Sequence, residues 1–412
     1  MQKTPKGLRL HIGIFGKRNV GKSSIVNCLT GQSVSIVSEF AGTTTDPVEK
    51  PMELLPLGPV VFIDTAGIDD VGALGEQRID KTKQVFQRTD LAIIVMEAGV
   101  VDDFEIELVA KFKELDIPII LVCNKSDMGS PSEKQTEIAE TEELPLCLVS
   151  AVTKDGIDDL RYQIIKVVPA EFMQPAAIVS DLVGPGEFAV LVVPIDKEAP
   201  KGRLILPQVQ TIRDLLDGDA TAIVTKEREL RHTLEMLKEK PAIVVTDSQA
   251  FLKVGADTPD DILMTSFSIL FARLKGDLND MVAGAMAIED LKPGDKVLIA
   301  ESCTHHPITD DIGTVKIPRW LNQYVGGKID FEFWRGHDFP DNVDEYKLII
   351  HCGACVTNRR EVLWRIGCAK KAGVPITNYG LAIAYTLGIF ERALKPFASA
   401  HQLYRELKGA EG

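Results

Sequence analysis

The octapeptide Gly16-Lys17-Arg18-Asn19-Val20-Gly21-Lys22-Ser23 restricts what this chain can fold into more than any other stretch. It follows an apolar run, His11-Ile12-Gly13-Ile14-Phe15, that reads as a buried strand, and it precedes a segment from Ser24 to Leu29 that reads as a helix. A glycine-rich turn between a strand and a helix N-terminus is a cradle for phosphate. Its backbone N–H groups curl round the anion, the lysine neutralises the β- and γ-phosphates, and the serine hydroxyl can ligate Mg²⁺. The phosphate-binding candidates are therefore Gly16, Asn19, Val20, Gly21, Lys22, Ser23 and Ser24.

Three more apolar runs end in polar groups that complete this chemistry. Val60-Val61-Phe62-Ile63 leads into Asp64-Thr65-Ala66-Gly67, which supplies an acid to hold Mg²⁺ through water and a Gly67 amide for the γ-phosphate. Ile119-Ile120-Leu121-Val122-Cys123 leads into Asn124-Lys125-Ser126-Asp127. A carboxylate at Asp127 accepts the two N–H donors on one edge of guanine, which adenine does not offer, and an unmet buried acceptor is costly. Leu146-Cys147-Leu148-Val149 then leads into Ser150-Ala151, placed for the guanine oxygen. The order of these elements predicts an α/β domain that binds GTP and Mg²⁺.

These residues resemble a small GTPase of the translation-factor-related class, the branch that holds the tRNA-modification and ribosome-assembly GTPases. The resemblance spans about residues 8–168. Ala41-Gly42-Thr43-Thr44-Thr45-Asp46 looks like the first switch of that branch, which implies Thr44 as the second protein ligand of Mg²⁺ beside Ser23, with Asp64. Asn19 stands where potassium-activated members carry an asparagine that helps to bind K⁺. The implied catalytic set is Lys22, Asn19, Thr44 and Gly67. Ile68 follows Gly67 where Ras-like enzymes place the glutamine that orients water, so hydrolysis by the free chain is expected to be slow. Asp69, Asp70 and Glu76 are further candidates to position that water, though they read better as solvated residues of a mobile switch.

A length of 412 residues exceeds one core and predicts two to four domains. The formal net charge of −14 argues against nucleic acid or an anionic membrane as the main ligand, since both need a basic face. No run approaches ~20 apolar residues, and the basic start lacks an apolar signal core, so the expected location is the cytoplasm. Seven scattered cysteines suit metal or redox use better than a disulfide scaffold.

Proline and glycine thicken between Val168 and Gly186, which reads as a linker. Beyond it, strand-like runs (188–194, 220–225, 242–246) alternate with helical ones (211–216, 229–238, 260–274), as in a small parallel α/β domain. Its open sheet edge suggests pairing with a second copy into a homodimer. His232 lies on a charged helix and reads as solvated.

Near the far end, Lys296-Val297-Leu298-Ile299-Ala300 precedes Cys303-Thr304-His305-His306, and Tyr346-Lys347-Leu348-Ile349-Ile350 precedes His351-Cys352-Gly353-Ala354-Cys355. Ligands collect beyond the carboxyl ends of strands in α/β sheets, so two such strands could bring Cys303, Cys352, Cys355, His305 and His351 together. Thiolates beside imidazoles suit zinc or an iron–sulfur cluster, and the spacing alone does not choose. Glu301 is a weaker oxygen donor candidate, and His306, before Pro307, reads as a loop residue. Further strands are expected at 329–334 and 375–378, with helices at 359–372 and 381–393. Cys28, Cys123, Cys147 and Cys368 read as small core hydrophobes, and Trp320, Trp334 and Trp364 as packing.

The set Cys303-x-His305 followed by His351-Cys352-x-x-Cys355, joined to the GTPase motifs, is similar to the [FeFe]-hydrogenase maturation GTPase family over nearly the whole chain. That resemblance implies a GTPase domain (1–170), a dimerisation domain (180–270) and a cluster-binding domain (271–412), all α/β. It implies a scaffold that holds a [4Fe–4S] cluster on Cys303, Cys352 and Cys355. The scaffold would receive a transient di-iron precursor from radical-SAM hydrogenase maturases and pass it to apo-[FeFe]-hydrogenase. Three thiolates leave one iron free for an exchangeable ligand, for which His305 and His351 are candidates or else neighbours of the site. A tRNA- or ribosome-associated GTPase with a structural zinc site is the competing expectation, disfavoured by the acidic charge. An iron–sulfur enzyme acting on a small molecule comes last, because no Cys-x₃-Cys-x₂-Cys pattern occurs.

Overall fold

The computed structural model describes residues 5–30, 48–54, 57–65, 84–173, 176–194, 204–302 and 311–410. Thr44, Gly67, Ile68, Asp69, Asp70, Glu76, Cys303, His305 and His306 lie outside the described residues. The chain divides into two compact units, Met1–Pro175 and Ala176–Gly412.

The first unit is built on β1 (Leu10–Phe15), α1 (Lys22–Thr30), β2 (Val48–Leu54), β3 (Gly58–Asp64), β4 (Leu91–Glu97), α2 (Asp103–Glu114), β5 (Ile119–Asn124), α3 (Glu133–Thr141), β6 (Leu146–Leu148) and α4 (Ile157–Val167). Its sheet has the order β2-β3-β1-β4-β5-β6. All pairings are parallel except β2 with β3. Every residue of β1 and β5 is buried, as expected for parallel strands covered on both faces. The apolar side chains alternate between two cores, one of Ile12, Ile14 and Val122, the other of Phe15, Phe112 and Leu121.

The second unit holds two parallel four-stranded sheets. One has the order β10-β9-β7-β8, from β7 (Phe188–Val192), β8 (Thr221–Thr225), β9 (Ile243–Thr246) and β10 (Leu263–Ser266). Between these strands lie α5 (Leu206–Asp217), α6 (Leu230–Met236) and α7 (Phe251–Asp257). The run 260–274, expected as one helix, divides into β10 and α8 (Phe267–Lys275), because the Ser266 hydroxyl accepts from the Ile269 N–H and caps a new helix at that point. The strand is short and continuous with an apolar helix, so periodicity alone cannot part them.

The other sheet, ordered β12-β11-β13-β14, uses β11 (Lys296–Glu301), β12 (Asp330–Arg335), β13 (Leu348–His351) and β14 (Ile376–Asn378). It is packed by α9 (Leu278–Met286), α10 (Ile317–Val325), α11 (Arg359–Lys371), α12 (Tyr379–Thr386), α13 (Phe390–Leu394) and α14 (Ala398–Ala410). The single helix expected over 381–393 is two, parted at Gly388, whose φ of +71° ends the first. One continuous apolar core runs through both sheets, from Val190 and Val244 to Leu298, Ile350 and Leu394.

Candidate functional site

Two loops carry the candidate chemistry, and each leaves the carboxyl end of a parallel strand. In the first unit, the turn from Gly16 to Gly21 joins β1 to α1. Gly16 has φ +135°, and a Cβ there would lie 2.1 Å from the Val95 carbonyl oxygen. Gly21 has φ +96°, and a Cβ would lie 2.1 Å from Asn124 Nδ2. Neither position tolerates a side chain. Asn19 also takes a left-handed backbone, at φ +65°, which asparagine accepts more readily than most residues.

Lys22 is buried at the start of α1 and donates to the carbonyls of Gly16 and Lys17, the latter at 2.8 Å. The ammonium is thus already inside the cradle. The Ser23 hydroxyl donates to Asp64 Oδ2 at 2.9 Å, so the two described Mg²⁺ ligand candidates meet although 41 residues separate them. Thr65 donates to the Ile14 carbonyl at 2.6 Å and ties the end of β3 to β1.

The base-recognition residues gather next to this loop. Asn124 Nδ2 donates to the Val20 carbonyl at 2.7 Å, while its Oδ1 accepts from the Ala151 N–H at 3.1 Å. One side chain therefore braces both the phosphate loop and the Ser150-Ala151 loop. The Ser150 hydroxyl donates to Asp127 Oδ1 at 2.6 Å, which aims an exposed carboxylate. Lys125, at φ +62°, pairs with Glu97 at 2.6 Å. Of the predicted nucleotide residues, the described ones come together, and Thr44 and Gly67 fall outside them.

In the second unit, β11 and β13 are adjacent and parallel, with Ala300 opposite His351. The Cys352 N–H donates to the Ala300 carbonyl at 2.9 Å. The Ser302 N–H, one residue before Cys303, donates to Cys352 Sγ at 3.2 Å, and the Ala354 N–H donates to the same sulfur at 3.4 Å. Burial pushes the Cys352 thiol up, but the adjacent His351 ring and these two amides outweigh it and hold the thiol down to about 7. Cys355 has less support: burial and the neighbouring Cys352 push it up to about 11. Helix α11 opens just beyond, with Asn358 Oδ1 accepting from the Glu361 N–H at 3.3 Å.

His351 is 1% exposed and both of its ring nitrogens are engaged. Arg365 donates to Nε2 at 3.0 Å, and arginine has no acceptor, so Nε2 carries the lone pair and Nδ1–H donates to the Cys352 carbonyl at 2.8 Å. Arg365 is itself buried, and it donates to Glu361 Oε1 at 2.9 Å and to the Gly336 carbonyl at 2.7 Å. Glu361 also meets His337 at 3.0 Å. Glu301 is 3% exposed, with one oxygen accepting from Arg335 at 2.9 Å and the other from Tyr379 at 3.0 Å. Its carboxylate is thus committed within the fold. Burial, and then proximity to that carboxylate, push the Tyr379 hydroxyl well up, so it stays a donor.

Arg365, Glu361, Arg335 and Tyr379 were not singled out from the sequence. Only the Glu361 and Arg365 pair, four apart on one helix face directly after the cysteines, offered a readable signal. Among the described residues no group of three or more His, Cys, Asp and Glu side chains could hold a metal ion. Cys303 and His305 lie outside the described residues. Cys123 and Cys147 are buried and Cys28 and Cys368 half-buried. Among the described residues no helix is long and apolar enough to cross a membrane.

Comparison with known proteins decides between the expectations for this architecture. Residues 178–276 match the model of the hydrogen maturase F dimerization domain, and residues 279–396 that of the hydrogen maturase F tetramerization domain. These two models together span more than half of the chain. The chain belongs to the hydrogen maturase F family. As a member of that family it carries an N-terminal GTPase domain, since residues 11–125 match the model described as a 50S ribosome-binding GTPase. GTPase Der from Wolinella succinogenes is 34% identical over 177 residues, covering 40% of this chain and 37% of the relative. The tRNA modification GTPase MnmE from Chromobacterium violaceum is 33% identical over 160 residues (39% and 35%), and MnmE from Prochlorococcus marinus NATL2A is 36% identical over 160 (38% and 34%). The chain thus spans little more than a third of the length of these curated relatives.

Proposed function

We propose that this chain is a GTP-hydrolysing scaffold that carries a [4Fe–4S] cluster and conveys a di-iron precursor during [FeFe]-hydrogenase maturation. The observation that carries the cluster reading is the hydrogen bond from the Ser302 N–H to Cys352 Sγ, because it lays the chain entering Cys303 against the Cys352-x-x-Cys355 loop. Amide donors aimed at a sulfur stabilise a thiolate and suit a cluster ligand. Cys303, Cys352 and Cys355 would hold the cluster. When bound, it supplies an iron with one coordination position open to an exchangeable ligand. His351 braces the loop through Arg365 and the Cys352 carbonyl, and His305 remains the imidazole candidate for the open position.

On the GTPase side, Lys22 neutralises the β- and γ-phosphates, Ser23, Asp64 and Thr44 hold Mg²⁺, and Asp127 with Ser150 and Ala151 selects guanine. Asn19 is placed for K⁺, which would substitute for part of the charge an arginine finger supplies. The match to two oligomerisation models supports a homo-oligomeric assembly, and the partners proposed are the radical-SAM maturases and the apo-hydrogenase, in the cytoplasm.

The deciding experiment measures iron, acid-labile sulfide and zinc on anaerobically purified protein, then repeats it on Cys303→Ser, Cys352→Ser and Cys355→Ser. Near four irons and four sulfides per chain, lost in each variant while GTP hydrolysis persists, is the expected result. Tightly held zinc on four protein donors would end the carrier reading. Hydrolysis that runs equally fast in sodium and potassium would remove the role given to Asn19.

A further inference from the structure

Gln135, in the first turn of α3, is 0% exposed, and its amide makes four hydrogen bonds. Oε1 accepts from the Ser132 N–H at 2.9 Å and from the Gly99 N–H at 3.0 Å. Nε2 donates to the Glu97 carbonyl at 2.9 Å and to the Val100 carbonyl at 2.7 Å. These bonds use both donors of the amide and both acceptor sites of its oxygen, and the two carbonyls fix which end is nitrogen. The bond to Ser132 is half of a capping box, and that half alone would be served equally by glutamate. The two donations are not, because a carboxylate has no N–H to give.

The segment held in this way, Glu97 to Val100, leaves the end of β4 beside the residues assigned to guanine. Glu97 is paired with Asn124 across β4 and β5, and the Ala98 N–H donates to the Asn124 carbonyl at 2.9 Å. The Glu97 carboxylate accepts from Lys125 Nζ at 2.6 Å. The turn also lies against the loop that follows Asp127. A Cβ at Gly99 would stand 3.5 Å from the Ser130 carbonyl oxygen, and one at Gly129 would stand 3.7 Å from that of Ala98. One amide therefore ties together two loops that flank Asn124, Lys125 and Asp127.

We propose that Gln135 is a positioning residue for guanine-nucleotide binding, which acts through the Glu97 turn on Lys125 and on the Asp127 loop and so sets the affinity for GTP. This deepens, and rests on, the guanine role given to Asp127 under Proposed function. The phosphate-side groups Lys22 and Ser23 bond to Gly16, Lys17 and Asp64, none of which Gln135 touches in these bonds. The effect is thus on binding and not on the hydrolytic step. Where hydrolysis is slow relative to dissociation, KM reports that binding directly.

The test measures kcat and KM for GTP on the full chain, with the Kd of a fluorescent GDP displaced by GTP or by ATP. Wild type, Gln135→Glu and Glu97→Gln are compared. Gln135→Glu keeps the cap acceptor and loses both donors, so KM and Kd are expected to rise about tenfold with kcat unchanged. Glu97→Gln leaves the turn's backbone bonds in place but removes the charge opposite Lys125, and about a threefold rise is expected. Unchanged KM and Kd in Gln135→Glu would reduce Gln135 to a helix cap and overturn the proposal, as would a fall in kcat at constant KM. If Gln135→Glu does not fold, Glu97→Gln decides alone, and an unchanged KM there overturns the proposal. Wild-type protein that binds ATP as tightly as GTP would overturn the guanine reading itself.

Discussion

The phosphate loop and the cysteine loop occupy equivalent places in two different sheets, yet they are encoded in opposite ways. Each runs from the end of a central parallel strand to the start of a helix: β1 to α1, and β13 to α11. The phosphate loop is defined mostly by residues within eight positions of one another. Its glycines provide the backbone shape, and Lys22 bonds to Gly16 and Lys17. The cysteine loop is held from afar, by Ser302 on the neighbouring strand end, Lys275 on α8 and Arg365 two turns into α11. A cradle for a ligand made of phosphate needs donors that the backbone itself provides. A thiolate site needs its charge and geometry supplied by other parts of the fold.

Four substitutions or conditions sharpen or break this contrast. The largest effect is expected at Arg365. Arg365→Met removes the buried guanidinium that pairs with Glu361 and donates to His351, at a cost of about 3–5 kcal/mol. Denaturant unfolding should show this loss in the transition of residues 176–412 only; an unchanged midpoint would mean that the cysteine loop does not depend on the charged chain behind it. Lys22→Ala should slow GTP hydrolysis by roughly 10²–10³-fold, the usual effect of deleting one donor to developing phosphate-like charge, with iron content unchanged. Iron lost along with hydrolysis would show that the two loops are not separable.

The third effect is a dependence on pH. In metal-free protein, alkylation of Cys352 should reach half its plateau near pH 7 and that of Cys355 near pH 11. The Cys352 value lies below its ordinary 9.0, so the stabilisation from its thiolate is full above that value and is lost as pH falls through about 7. Two thiols that titrate together would refute the asymmetry assigned to His351 and to the Ser302 and Ala354 amides. The smallest effect belongs to Thr65→Val, which removes the bond to the Ile14 carbonyl and should cost about 1 kcal/mol, read as a shift in the unfolding midpoint of the first unit.

The same contrast explains how much the sequence revealed. Strands leading into Asp64, Asn124 and Ser150 could be read from short apolar runs, because buried parallel strands need them and each run stops at or just before its functional residue. The adjacency of β11 and β13 was inferable from two matching strand-then-cysteine patterns. The split of 260–274 into β10 and α8 was not, since an apolar strand flowing into an apolar helix carries no break except the Ser266 cap. Lys275 had no signal at all. It ends an ordinary basic helix turn, and only tertiary packing sets it on the Thr357 carbonyl, two residues past Cys355.

The shared core of the second unit has a consequence for how the molecule comes apart. Phe267, Ile269 and Phe271 of α8 are buried in the same apolar mass as Ile349 and Leu381, and only Asp277 is exposed where the two matched segments meet. A protease would find little purchase at that seam, and a fragment cut there would carry an oily scar on each face. The unit should therefore melt as a single cooperative block, so that any force loosening the middle segment is felt at the cysteines in the same event.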